Sequence, residues 1–153
     1  MQNAMDHSGM AGVIGVGFLL GVLGIQDLRK KQVSMLLVWL LLGVGIMIHI
    51  LSGERIAEAL LSVLLLGSVL GAVALASKQA VGAGDAWVVA ALGGYLGLLQ
   101  TITVLFYGLV LCAAAGGILL VCKKGTRKMQ IPFLPFLFLG YCMYMFVEQG
   151  GSL

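Results

Sequence analysis

Charge is scarce in this chain: nine Lys and Arg and six Asp and Glu among 153 residues, or 10%. A net charge of +3, with the basic residues in short clusters instead of along one face, excludes nucleic acid as a partner. Cysteine is limited to Cys112, Cys122 and Cys142, an odd number with no CxxC spacing, which argues against a zinc site or a disulfide framework and for apolar use of the thiols. The two histidines, His7 in the N-terminal tail and His49 near the end of an apolar stretch, set no metal-ligand spacing, and His49 reads as an interfacial residue. Ser34, Ser52, Ser62, Ser68 and Ser77 have no partner at a spacing that would make a nucleophile and its base. No metal and no cofactor are expected.

What the chain has in abundance is apolar length: 61% of it is hydrophobic, which places it in the membrane class. Five uncharged tracts cover residues 9–26, 33–53, 59–77, 86–122 and 129–147. A helix needs about 20 apolar residues to cross the hydrocarbon core. Four tracts therefore read as single spans, and the 37-residue tract as two, turning near Leu99-Gln100-Thr101. The expectation is an all-α polytopic membrane protein with six transmembrane helices, roughly 9–27, 33–52, 57–77, 86–99, 102–122 and 130–148, in one membrane-embedded domain over residues 1–153. Residues 1–10 carry Asp6 and no Lys or Arg, unlike the basic start of a secretory signal, so the first span is expected to be retained.

Orientation follows from the basic residues, because Lys and Arg concentrate in cytoplasmic loops. With six spans and the N-terminus outside, Arg29, Lys30, Lys31, Lys78, Lys123, Lys124, Arg127 and Lys128 fall inside and Arg55 alone falls outside. Reading residues 86–122 as one span would instead give four inside and five outside, and the bias would vanish. Under the six-span topology Asp27 ends span one and Asp85 opens span four on the same, cytoplasmic side. Glu54 and Glu58 fall on the other side beside Arg55, as an exposed pair near a helix start. Gly17/Gly21, Gly67/Gly71 and Gly93/Gly97 have GxxxG spacing, which suits close helix approach and could bring the two acid-bearing spans together.

Acids beside a membrane span are costly and tend to have a function. Two carboxylates sharing one proton can activate water and protonate a leaving amine, which is what metal-free peptide hydrolysis without a Ser or Cys nucleophile requires. Helix dipoles favour a protonated Asp27 and an ionised Asp85, with Arg29 to Lys31 opposing the first, so the two form a coupled pair. Gly82 and Gly84, in Gly82-Ala83-Gly84-Asp85, have conformational freedom that would let a substrate strand approach the backbone. The same residues also fit a plain loop with Asp85 as a helix N-cap. Intramembrane acids serve ion pathways too, so a channel or transporter subunit, or a non-enzymatic secretion-assembly subunit, is the alternative. Such a role would place acids at mid-depth, whereas these lie at span ends.

Three motifs together resemble the type IV prepilin peptidases, membrane aspartyl proteases of the GxGD type. They are Asp27 followed by Arg29-Lys30-Lys31, then Gly82-Ala83-Gly84-Asp85 with Gly93-Gly94-Tyr95-Leu96-Gly97 downstream, then Ile131-Pro132-Phe133-Leu134-Pro135-Phe136 at the start of the last span. The resemblance implies a multi-pass enzyme of a prokaryotic cytoplasmic membrane. It would cut the basic leader from a prepilin-like membrane protein at the cytoplasmic face, with Asp27 and Asp85 catalytic. The chain departs from the family at Val33-Ser34, where Ile-Pro is frequent, which is expected to loosen the turn into span two. It departs again at Ala86-Trp87, where a Lys is frequent. The cysteine-bearing N-terminal domain of larger members has no counterpart in these residues, so methyl transfer is not expected. The short form is more similar to the peptidases of tight-adherence (Flp) pili and of archaeal flagella.

Overall fold

The computed structural model describes residues 2–30, 33–52, 56–76, 82–122 and 132–150. Lys31, Glu54, Arg55, Lys78 and the 123–128 basic cluster lie outside them. The described residues form six helices and no strand: α1 (Gln2–Lys30), α2 (Met35–Ser52), α3 (Ile56–Ala76), α4 (Ala83–Leu96), α5 (Leu98–Val121) and α6 (Leu134–Gly150). Three segments are long and apolar enough to cross a membrane, Gly12–Arg29, Ile56–Ala76 and Leu98–Leu119, while Met35–Leu51 and Leu134–Glu148 are shorter apolar helices. Large apolar side chains such as Phe18, Leu75 and Phe146 stand exposed on the outside, as hydrocarbon solvent permits.

Helix α4 is the centre of the bundle. It packs against α2, α3 and α5, while α1 packs on α2 and α6, and α5 on α6. Val88, Val89, Ala90, Ala91 and Leu92 are all buried, so α4 is covered on every side, as a helix apolar all round must be. At 14 residues it is about 21 Å long, short of the hydrocarbon thickness of about 30 Å. It stops at Gly97, whose φ of 86° and ψ of 175° turn the chain directly into α5, with the Gly97 N–H donating to Gly93 O at 3.0 Å. A residue with a Cβ is strained at that φ.

The 37-residue uncharged tract thus divides at Gly97, before the expected Leu99-Gln100-Thr101. Polarity misplaced the turn: Gln100 and Thr101 belong to the first turn of α5, and Thr101 is fully buried. The glycine pairs also act differently from the expectation. A Cβ on Gly17 or Gly21 would meet Tyr141 or Phe138 of α6, one on Gly93 would meet Leu66 of α3, and one on Gly71 would meet nothing within 4 Å. They do not join α1 to α4. Among the described glycines a Cβ would come nearest to another helix's backbone at Gly140, 2.7 Å from Val104 O and 2.8 Å from Gly108 N, so α6 lies directly on α5.

Candidate active site

The C-terminal end of α1 and the N-terminal ends of α2, α4 and α6 meet at one end of the bundle. Asp27, on the last turns of α1, is buried to 8% exposure. Its Oδ2 accepts the Leu134 N–H at 3.3 Å. Leu134 is the first residue of α6, where backbone N–H groups have no partner within the helix and a carboxylate is favoured. Gly24 makes the approach possible, because a Cβ there would lie 3.3 Å from Pro135 Cα. Pro135 itself fits the first helical turn, where its missing N–H is not needed. The sequence marked the Pro132–Pro135 segment only as the start of the last span. Its further role, as the backbone seat of Asp27, has no side-chain signature, since the donor is a main-chain amide.

Asp85 lies in the first turn of α4, half-buried, with its N–H donating to Gly82 O at 3.0 Å. Burial pushes its carboxyl up from 3.8 to about 6, the neighbouring charge of Asp27 adds to the rise, and hydrogen bonding of the carboxyl by the Gly82 backbone N–H opposes it. The structure thus brings the two acids within electrostatic reach. Asp85 holds a proton to about pH 6, because burial outweighs the N-terminal dipole of α4, which favours the ionised form.

The glycines before Asp85 are needed for space and not for conformational freedom. Gly82 has φ −61° and ψ 129°, extended backbone open to any residue, and Gly84 is inside the helix. A Cβ on Gly84 would lie 2.8 Å from Val33 Cγ2 and 2.9 Å from Val33 Cβ, so the residue before α2 is keyed into the gap that Gly84 leaves. Gly82 is exposed, and a Cβ there would lie 3.1 Å from Asp85 Oδ2. The start of α2 is also tied to the end of α1: the Ser34 N–H donates to Gln26 Oε1 at 3.1 Å. The expected loosening at Val33-Ser34 is therefore offset.

The remaining polar candidates lie elsewhere. Glu58 is exposed in the first turn of α3, and Ser62 donates its hydroxyl to the Glu58 carbonyl at 2.8 Å. His49 is not simply interfacial. Its Nε2 lies 3.2 Å from Tyr95 O, donating in the Nε2–H tautomer, and so satisfies a carbonyl in the last turn of α4, at the other end from Asp85.

A sequence model of the type IV leader peptidase family matches residues 14–117. The chain belongs to the type IV leader peptidase family. It is an aspartic endopeptidase of the membrane, acting on prepilin-like leader peptides. The matched residues hold both Asp27 and Gly82-Ala83-Gly84-Asp85, while the Pro132–Phe136 segment of this peptidase falls beyond them. Comparison with curated proteins and with solved structures returns no match.

Proposed function

We propose that the peptidase cuts its prepilin-like substrate at the cytoplasmic face of a prokaryotic inner or plasma membrane, with Asp27 and Asp85 as its catalytic pair. The observation that carries this reading is the convergence of the two acids at one end of the bundle, close enough for the charge of Asp27 to raise the pKa of Asp85. In the proposed cycle one carboxylate takes a proton from water as the hydroxyl adds to the scissile carbonyl. The protonated partner gives its proton to the carbonyl oxygen. Collapse of the tetrahedral intermediate breaks the C–N bond, and the proton taken from water goes to the leaving amine. With its proton held to about pH 6, Asp85 takes the acid role in this cycle and Asp27 the base. Exposed Gly82 offers the backbone nearest Asp85 for an extended substrate, and Gly84 shapes the same ridge from beneath.

Depth in the membrane supports the same reading. Both tryptophans of the chain are exposed toward that end of the bundle, Trp87 two residues after Asp85 and Trp39 in the second turn of α2. Exposed Trp favours the membrane–water interface, where water for hydrolysis is at hand. The orientation belongs to the proposal: six membrane helices in a single domain over residues 1–153, with the N-terminus outside. Cysteines placed singly on a background without Cys112, Cys122 and Cys142 test it. Positions 78 and 123 are expected to react with a membrane-impermeant maleimide only after the cytoplasmic side is opened, and position 55 in intact cells. Labelling of position 55 only from the inside would overturn both the orientation and the cytoplasmic site.

The raised pKa of Asp85 gives a second expected result. A pair that works with one proton loses activity as that proton leaves, so cleavage should fall above about pH 6. Stability should follow the same group. With the folded pKa above the ordinary 3.8, the stabilising contribution of protonated Asp85 is complete below that value and is lost as pH rises through about 6. Asp85→Asn, which has no charge to bury, is therefore expected to melt above wild type at pH 8 and to lose that advantage below pH 4. Equal pH dependence of the two melting temperatures would contradict this account of Asp85.

A further inference from the structure

We propose that Gln26 is a positioning residue for cleavage, holding the α1–α2 turn so that Asp27 and Asp85 keep their working separation. The proposal rests on the reading of those two acids as the catalytic pair. Gln26 directly precedes Asp27 and follows seventeen consecutive apolar or glycine residues, 9–25, in α1. Its Oε1 accepts the Ser34 N–H at 3.1 Å in a part-buried position. Ser34 stands at the start of α2, where its carbonyl accepts from Leu37 and Val38 and its own N–H finds no partner within the helix. The neighbouring Val33 fills the gap over Gly84, one residue before Asp85.

Two contacts thus run from the residue before one acid to the residue before the other: Gln26 to Ser34, and Val33 to Gly84. They matter because direct packing does not set the separation. Toward the acid-bearing end the glycines of α1, Gly17, Gly21 and Gly24, face α6, and Gly84 of α4 faces Val33; α1 meets α4 through Gly12 and Tyr95, at the other end of the bundle. A side-chain acceptor on a main-chain donor also fixes direction, since the amide geometry is narrow. If the bond is lost, α2 keeps its helix but Val33 is free to slide on Gly84. A shift of about 1 Å between reacting groups can cost about a hundredfold in rate.

The test uses the full-length protein with a prepilin-like membrane substrate and reads kcat and KM separately. Gln26→Met keeps length and apolar volume and removes the acceptor. It is expected to lower kcat roughly ten- to a hundredfold with little change in KM, and to move the alkaline limb of the pH profile to lower pH as Asp85 is separated from the charge of Asp27. Ser34→Pro removes the donated N–H, so adding Gln26→Met to it should cause no further loss. A single cysteine at position 33, on a background without the native three, reports the seat of α2 without catalysis: its alkylation should quicken in Gln26→Met. Unchanged kcat and alkylation in Gln26→Met, or an equal loss with and without Ser34→Pro, would overturn the proposal. Quicker alkylation with undiminished cleavage would also overturn the positioning role and would point to failure of the Asp27–Asp85 reading, which Asp27→Asn then checks independently.

Discussion

Asp27→Asn and Asp85→Asn are each expected to reduce cleavage of a prepilin-like substrate by roughly 10²–10⁴-fold, the range for loss of a general acid or base. Asparagine keeps the shape of the side chain but can neither take nor release the proton. At position 27 its amide oxygen still accepts the Leu134 N–H, so the seat of α6 survives and the loss reports chemistry and not unfolding. The double replacement should add little to either single one, because groups acting as a unit are strongly non-additive. Glu58→Gln and Glu54→Gln should leave cleavage near wild type. The ratio of unprocessed to processed substrate on a gel, at matched enzyme levels, reads all of these. Substantial cleavage in either Asp→Asn variant would remove the aspartate pair from the mechanism.

Gly84→Val is expected to abolish detectable cleavage in protein that still inserts and accumulates. The reason is collision: the first added carbon already lies 2.8 Å from Val33 Cγ2, and the branched side chain extends further into the same space. Overpacking of this kind costs about 1–3 kcal/mol and is relieved here by displacing the α1–α2 turn. Val33→Gly in the same molecule clears that space and should restore part of the activity. Full activity in Gly84→Val would mean that the gap has no bearing on the site. Failure of Val33→Gly to restore any activity would mean that Gly84 faces the substrate and not the turn.

The sequence made the helical class and the approximate extents of the helices legible, because charge interrupts apolar length at every junction except that between α4 and α5. It marked Asp27 and Asp85 for the same reason: both break the apolar tracts at their ends. Main-chain chemistry was much less visible. The Leu134 N–H that holds Asp27, the Ser34 N–H held by Gln26 and the Tyr95 carbonyl met by His49 have no residue type that advertises them. The turn at Gly97 was hidden among 23 glycines, and more polar Gln100 and Thr101 drew attention away from it. Spacing of small residues likewise says that helices come close without saying which ones, and here the close pair is α5 with α6 at Gly140, outside the spaced pairs.

The burial of α4 has a consequence for how the peptidase responds to its lipids. Hydrophobic mismatch acts on helices that touch hydrocarbon, tilting or bending them as the bilayer thickens or thins. The long α1, α3 and α5 take that load, with apolar side chains exposed along their length. Between Val88 and Leu92, α4 offers lipid no surface, while its Trp87 is exposed beside Asp85. With Trp87 at the membrane–water interface, as proposed above, Asp85 is carried on an inner post, registered to the headgroups at one end and insulated from changes in membrane thickness along the rest.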